Sequence, residues 1–298
     1  MSNKTNKISG TGVALVNPFS KNQSVDYKSL SKLVNHVIKG GVEYLVVLGT
    51  TGESVTLNKE EKQKIVAHVI ETVNKRVPVV LGLGGNNTLE IVESLKKTSD
   101  FKSIDAILSV SPYYNKPNQR GIYEHYKAIS QASPLPIILY NVPGRTSSNI
   151  TAETILRLAN DFKNIVAIKE ASGNMEQCMK IIKHKPADFL VISGDDNLTL
   201  PLLACGAEGV ISVVANAFPK DFSEMTRQMR KGNVEKAREL HYKLTDITEQ
   251  LFADGNPAGI KAALDILGIC KDYLRLPLVN VNSETQKTLE KLIGKYSK

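Results

Sequence analysis

The sequence contains no tryptophan and only three cysteines among its 298 residues. The cysteines, Cys178, Cys205 and Cys270, lie far apart, and none belongs to a paired CxxC spacing. This excludes a disulfide-stapled fold, which needs a denser set of cysteines, and a zinc cluster, which needs paired ones. Isolated thiols are typical of a reducing compartment, so we expect a cytoplasmic protein.

Long hydrophobic runs are also missing. No apolar stretch approaches the roughly 18 residues that a membrane-spanning helix requires. The polar segment at residues 1–6 lacks the apolar core of a secretory signal. We therefore expect neither a membrane partner nor export.

Motifs for metal and nucleic acid are absent as well. The five histidines stand singly, without an HExxH, HxH or EF-hand pattern, so no metal site is predicted. The net charge of +8 favours an anionic partner. However, basic residues alternate with acidic ones, and no zinc-finger, basic-zipper or RNA-binding pattern interrupts them. A small anionic metabolite is therefore favoured over nucleic acid.

What the sequence does contain is an alternation of short apolar runs with longer amphipathic stretches. Eight runs rich in β-branched residues are predicted as strands, beginning near Gly12, Tyr44, Pro78, Asp105, Pro136, Asn164, Phe189 and Gly209. Helical spacing separates them, at residues 27–39, 59–74, 88–98, 121–131, 151–160, 175–183 and 198–205. Asn58 and Glu61 have the spacing of a capping box that opens one of these helices.

This alternation predicts an α/β fold. Strands separated by helices form a parallel sheet, and near-continuous apolar strands indicate that both faces of the sheet are covered. Eight units favour a closed (β/α)8 TIM barrel. An open doubly wound sheet commonly carries a GxGxxG turn after its first strand, but here that strand ends in Val16-Asn17-Pro18.

The last part of the chain keeps a helical period without further strands. Helices are predicted at residues 221–231, 234–252, 257–267 and 283–295. We therefore predict a barrel domain at residues 1–230 and a C-terminal α-helical region at residues 231–298.

In a (β/α)8 barrel the carboxyl ends of the strands form the active-site face. The second predicted strand ends in GTTGES, residues 49–54, where glycines permit close approach of a ligand while N–H groups and the hydroxyls of Thr50 and Thr51 point at it. Such a loop suits a carboxylate. An ordinary turn with local side-chain hydrogen bonds is an equal alternative at this point.

The sixth predicted strand places one lysine, Lys169, at the end of an apolar run. Burial without a partner disfavours an ammonium group and supplies the neutral amine that attacks a carbonyl to form a Schiff base. Two structural alternatives stay open from this strand alone. The side chain could reach solvent, or it could pair with Glu170.

Other strand ends supply acids and carboxylate binders. Tyr140 and Tyr114 bring phenols that can move protons, although a packing role is common for tyrosine. Arg145 offers a planar fork for a carboxylate. Gly194 permits close ligand approach, and Ile211 could wall the pocket. The neighbouring Asp195 and Asp196 are interpreted as a cap for the next helix.

Five segments, GTTGES, SPYYNKP, YNVPGRT, IKEASG and SGDD, occur in this order on successive strands. Together they resemble the dihydrodipicolinate synthase family of class I, Schiff-base-forming pyruvate aldolases and lyases. The resemblance spans nearly the whole chain. It implies a barrel with C-terminal helices, usually a homotetramer of two tight dimers, and a carbon–oxygen lyase of the diaminopimelate route to lysine. The implied substrates are pyruvate and L-aspartate-4-semialdehyde.

The resemblance implies a role for each matching residue. Lys169 forms the imine with pyruvate, and Tyr140, Thr50 and Tyr114 relay protons, Tyr114 across a dimer interface. Pyruvate contacts fall on Thr51 and Ile211, and Arg145 holds the carboxylate of the semialdehyde. No metal or organic cofactor is implied.

Two other functions remain open. N-acetylneuraminate lyase, or a 2-keto-3-deoxy sugar acid aldolase, shares the lysine and the tyrosine. However, the Thr50-Thr51 pair and Arg145 resemble the synthase. A non-catalytic metabolite-binding barrel is the alternative outside enzymes, and it would need no buried amine beside phenols.

A lysine-inhibition site is also implied by the resemblance. Ser54, Asn86, Glu90 and Tyr113 match its positions. Lys59 and Lys62 stand where lysine-sensitive members often have histidines, and added cations repel a cationic inhibitor. We therefore predict weak or absent inhibition by lysine.

Overall fold

The computed structural model describes residues 8–96 and 101–296. Eight strands form a closed barrel in sequence order, and the pairs within it are parallel. They are β1 (Gly10–Ala14), β2 (Tyr44–Val47), β3 (Val79–Gly82), β4 (Ala106–Val110), β5 (Ile137–Asn141), β6 (Ile165–Glu170), β7 (Leu190–Ser193) and β8 (Gly209–Ser212). The predicted (β/α)8 barrel with C-terminal helices is confirmed.

Helices separate the strands and continue after the last one. They are α1 (Tyr27–Lys39), α2 (Lys59–Val73), α3 (Thr88–Leu95), α4 (Gln119–Ala132), α5 (Pro143–Thr146), α6 (Ala152–Asp161), α7 (Met175–His184), α8 (Thr199–Ala204), α9 (Pro219–Arg230), α10 (Val234–Phe252), α11 (Ala258–Ile266) and α12 (Ser283–Tyr296). The predicted bounds agree within two residues. The exception is the predicted end at Thr98, which, like residues 1–6, lies outside the described residues.

Local sequence chemistry explains where these helices begin. Asn58 and Glu61 form the predicted capping box: the Asn58 side chain accepts from the Glu61 N–H at 2.9 Å, and the Glu61 carboxylate accepts from the Asn58 N–H at 3.0 Å. Each bond satisfies a donor that the helix itself leaves unpaired. The short helix α5 was not predicted, because one turn is too short for a hydrophobic period. Its first residue, Pro143, is preorganised for a helix start.

The chain divides into two compact units. One contains Pro78–Ile211, with β3 to β7 and all of β8 except Ser212, and the other contains Gly10–Val77 and Ser212–Lys298. The predicted boundary at residue 230 stays a prediction. None of the helices in the described part of the chain combines the length and apolar character that a bilayer crossing needs.

Close packing joins α10 and α11 at Gly259. A Cβ built on Gly259 would lie 2.1 Å from the carbonyl oxygen of Leu251, which belongs to α10. Only a residue without a side chain permits this approach. By contrast, Gly294 in α12 is exposed and would place a Cβ in open space.

We expect Gly259→Ala to lower the free energy of unfolding by about 1–3 kcal/mol or more, because the α10 backbone must shift. The matched change Gly294→Ala should raise it by up to about 1 kcal/mol through helix propensity. Equilibrium unfolding in urea measures both. Equal effects of the two substitutions would contradict the packing role of Gly259.

Candidate active site

Lys169 lies near the carboxyl end of β6, and its side chain is 5% exposed. Its Cα is in register with Tyr140 on β5 and Ile192 on β7. The Nζ atom lies 4.3 Å from the centroid of the Tyr140 ring. The predicted meeting of an amine and a phenol is therefore confirmed, and burial excludes the alternative that the lysine side chain reaches solvent.

Glu170 is not the partner of Lys169. Successive side chains of a strand point to opposite faces, so the two groups diverge. The Glu170 carboxylate, 2% exposed, accepts from the Asn141 amide at 3.1 Å on both oxygens, from Gln177 at 2.9 Å and from the Ser172 N–H at 2.8 Å. Within residues 8–96 and 101–296, Lys169 makes no ion pair. The second structural alternative is therefore wrong.

The Glu170 network fixes the position of the two strands that carry the site. Asn141 follows Tyr140 on β5, Glu170 follows Lys169 on β6, and Gln177 belongs to α7. Asn141 also accepts from the Ile150 N–H at 2.9 Å. A buried polar group is stable only with such partners, so the bonds hold β5 and β6 in one register. This register sets Tyr140 beside Lys169.

Gly194 lies directly beside the lysine side chain. A Cβ on Gly194 would stand 3.0 Å from Lys169 Cε and 2.6 Å from the Ala171 Cβ. The missing side chain of Gly194 therefore leaves room for Lys169. Ile211 is buried on β8, 1% exposed. Contact of either residue with a substrate stays a prediction.

Asp195 does not cap α8. Its carboxylate accepts from the N–H groups of Asn197 at 3.1 Å and Leu198 at 3.3 Å, and its carbonyl accepts from the Thr199 hydroxyl at 2.7 Å. The residue at the helix N-cap is Leu198, whose side chain makes no capping bond. Asp195 therefore holds the turn that leads into the helix.

The other predicted polar residues of this unit lie outside the strands, on loops or on helices. Arg145 is exposed on α5. Tyr113 is half-buried, whereas Tyr114 is 88% exposed and has a φ of 71°. The Asn86 amide donates to the Tyr113 carbonyl at 3.2 Å. Glu90 is exposed in the first turn of α3. The structure thus joins Asn86 and Tyr113 but leaves Tyr114 projecting outward.

The GTTGES loop belongs to the unit formed by Gly10–Val77 and Ser212–Lys298. Thr50–Gly52 form a 3-10 turn in which Thr50 is exposed and Thr51 buried, followed by a second turn at Ser54–Thr56. A Cβ on Gly52 would lie 3.0 Å from the Leu15 carbonyl oxygen. Protein backbone thus fills the space where a side chain at Gly52 would lie, and approach of a ligand to this loop stays a prediction.

Sequence reasoning missed the residues that hold this loop. The Asn256 amide donates to the Thr51 hydroxyl at 3.0 Å, and the Lys261 ammonium group pairs with the Glu53 carboxylate. Both Asn256 and Lys261 come from the C-terminal part of the chain. A signal was present, because Lys261 interrupts the apolar sequence of α11. The sequence does not indicate the partner of Lys261, however, because Glu53 lies 208 positions earlier in the chain.

No three His, Cys, Asp or Glu side chains in the described ranges come together as a set that could hold a metal ion. Cys178, on α7, lies near the Glu170 carboxylate. Burial, and secondarily that charge, raises the pKa of the Cys178 thiol to about 12. It therefore stays protonated at neutral pH and is a poor nucleophile.

Comparisons with known proteins agree with this geometry. A 4-hydroxy-tetrahydrodipicolinate synthase of Flavobacterium psychrophilum is 54% identical over 289 residues, covering 97% of this chain and 98% of the relative. The solved dihydrodipicolinate synthase of Aquifex aeolicus matches with a TM-score of 0.93 at 41% identity, over 97% of this chain and 98% of that one. A solved monomeric dihydrodipicolinate synthase variant matches with a TM-score of 0.95 at 41% identity, over 98% of both chains.

The profile of the Dihydrodipicolinate synthetase family matches residues 7–296. This range contains all five motifs and nearly the whole chain. With relatives above 50% identity over almost their full length, the chain belongs to the Dihydrodipicolinate synthetase family.

Proposed function

We infer that this chain is a 4-hydroxy-tetrahydrodipicolinate synthase, a lyase that condenses pyruvate with L-aspartate-4-semialdehyde. The observation that carries the inference is the buried Lys169 amine, 4.3 Å from the Tyr140 ring centroid, in a chain of this family. An amine shielded from water and free of a carboxylate partner is suited to attack a carbonyl. Curated relatives named as this synthase support the choice of substrates.

In the proposed reaction, the Lys169 amine adds to the carbonyl carbon of pyruvate, and loss of water leaves an imine. Removal of a proton from the methyl carbon gives the enamine, which forms a carbon–carbon bond to the aldehyde carbon of the semialdehyde. The amino group of that substrate then attacks the imine carbon, closes the ring and releases Lys169. The cycle needs no oxidant or reductant, so no organic cofactor is proposed.

The remaining roles are proposed from family membership. Tyr140, Thr50 and Tyr114 would move protons, because a hydroxyl can donate or accept over hydrogen-bond distance. Thr51 and Ile211 would contact pyruvate, and Arg145 would bind the semialdehyde carboxylate. The exposure of Arg145 fits a group that meets the second substrate from solvent.

A cytoplasmic location and a homotetramer of two dimers are proposed as well. The exposed Tyr114 supports a dimer, since a phenol that is 88% exposed has room to meet a second subunit. The alternative is a monomer, the state in which a related variant is described. Sedimentation analysis measures the oligomeric state.

Lys169→Ala should abolish turnover, because no imine can form. Borohydride reduction in the presence of pyruvate should add one pyruvate-derived group per wild-type chain and none to this variant, as read by mass spectrometry. The control Lys163→Ala removes an exposed lysine just before β6 and should still be labelled. If pyruvate and borohydride leave the mass of the wild-type protein unchanged, the proposed function is contradicted. Cleavage of N-acetylneuraminate without any condensation of pyruvate with the semialdehyde would contradict it as well.

Arg145→Ala should chiefly impair use of the semialdehyde. Loss of a charged hydrogen bond to a carboxylate costs about 1.5–3 kcal/mol, which is roughly a 10- to 100-fold fall in kcat/KM for that substrate. Imine formation with pyruvate should continue. The control Arg157→Ala changes another exposed arginine of the same unit. Steady-state kinetics with borohydride trapping test the split, and equal loss of both functions contradicts it.

Free lysine should inhibit this enzyme weakly or not at all. Lys59 and Lys62 lie at the start of α2, five and eight residues after Ser54, where their charges oppose a cationic ligand. A titration of initial rates with lysine measures the effect. A Lys59→His, Lys62→His double variant should become more sensitive. A low-millimolar or tighter inhibition constant for the wild-type enzyme contradicts the prediction.

A further inference from the structure

A fully buried ion pair joins Glu53 of the GTTGES loop to Lys261 of α11. The side chains of Glu53 and Lys261 are both 0% exposed, and the ammonium group donates to the carboxylate. Lys261 also donates to the Tyr273 carbonyl at 2.8 Å and lies 4.2 Å from the Phe19 ring centroid. The second Glu53 carboxylate oxygen accepts from the backbone N–H of Arg275 at 3.1 Å. Protein atoms therefore replace the water that both charges lost.

Such a pair is weak evidence for a stabilising role. Removing two charges from water is costly, and well-packed apolar residues often serve stability equally well. Burial lowers the pKa of the Lys261 ammonium group even though the Glu53 charge opposes that shift. What a pair of this kind can supply is a defined geometry, because its hydrogen bonds are directional.

The geometry in question is that of the loop. Glu53 has a φ of 51°, a left-handed conformation that a non-glycine residue adopts rarely. It lies at the joint between the turn Thr50–Gly52 and the turn Ser54–Thr56. A strained joint persists only when its surroundings hold it. The buried pair is placed to do so, because it engages the side chain of the strained residue itself.

Neighbouring loop residues are held in the same way. Asn256 donates to the Thr51 hydroxyl at 3.0 Å, and Asn17 donates to the Gly52 carbonyl. On the far side of the loop, Arg275 forks onto Glu61 at 2.5 and 2.8 Å and donates to the Thr56 carbonyl at 3.0 Å. Three consecutive residues, 51 to 53, are thus each held by a separate contact.

We propose that Lys261 is a positioning residue for the capture of pyruvate, and that it acts through Glu53 on the turn that carries Thr50 and Thr51. The inference rests on the proposed function, in which these two threonines serve the pyruvate site. Loss of the ammonium group releases the Glu53 joint and displaces both hydroxyls. Capture of pyruvate is then impaired more than use of the second substrate, whose carboxylate is assigned to Arg145.

The test compares Lys261→Met with a matched control, Lys185→Met. Lys185 makes the same kinds of contact in the other unit: an ion pair with Glu208 at 2.7 Å and a hydrogen bond to the Phe189 carbonyl at 2.6 Å. Melting temperatures identify a temperature at which all variants are folded. At that temperature, we expect Lys261→Met to lower kcat/KM for pyruvate and the rate of borohydride trapping by about tenfold or more, since small misplacements are costly. KM for the semialdehyde and the kinetics of Lys185→Met should stay within about twofold of wild type.

A double variant, Glu53→Gln with Lys261→Met, separates positioning from stability. Removing both charges leaves neither one unpaired, so the melting temperature should recover relative to Lys261→Met. A positioning role predicts that kcat/KM for pyruvate stays low, and recovery of both quantities overturns it. Glu53→Ala, which removes the side chain that Lys261 engages, replaces Lys261→Met if that variant does not fold.

If the kinetics of Lys261→Met, or of Glu53→Ala in its place, equal those of Lys185→Met, the inference is also overturned. Borohydride trapping of pyruvate on the wild-type enzyme, measured in the same series, distinguishes failure of the proposed function from failure of the role of Lys261. An unlabelled wild type contradicts the proposed function, whereas a labelled wild type with unimpaired variants contradicts only the role of Lys261.

Discussion

An amine at the end of a buried strand, with no carboxylate partner among the residues that the structure describes, is the constraint on which the active-site assignment depends. Lys169 could avoid water in many ways, but here its neighbour in the chain already has partners on the opposite face of β6. The Lys169 Nζ atom lies 4.3 Å from the centroid of the Tyr140 ring. The fold therefore keeps the nitrogen out of an ion pair, as the proposed imine chemistry requires.

Supporting interactions follow from that requirement. The parallel ladder sets Tyr140 opposite Lys169, and the amides of Asn141 and Gln177 hold the strand ends through Glu170. Gly194 leaves room for the lysine side chain where any larger residue would intrude on it. The hydrogen bonds of Glu170 and the missing side chain of Gly194 thus have one common effect, which is to fix the position of the Lys169 amine.

Much of this architecture was predictable because it depends on patterns among residues that are near one another in the sequence. Alternating apolar runs and helical periods predicted all eight strands, and Asn58 with Glu61 predicted a helix start. Lys169 stood out because a charge at the end of an apolar strand requires a reason. The contacts of Lys261 and Asn256 were not predictable, since they join residues more than 200 positions apart. The space beside Gly52 also depended on a residue from another segment, the Leu15 carbonyl, although that segment lies nearer in the chain.

The contact between Thr51 and Asn256 has a consequence for the order of synthesis. A growing chain completes Lys169 and Tyr140 while about two fifths of the protein is still to be made. The turn at Thr50–Gly52 emerges earlier still, yet the side chains that hold it, Asn256 and Lys261, are among the last to leave the ribosome. The nascent protein therefore contains Lys169 and Tyr140 long before the contacts that hold its threonine turn can form, so premature termination before Asn256 would leave that turn without them.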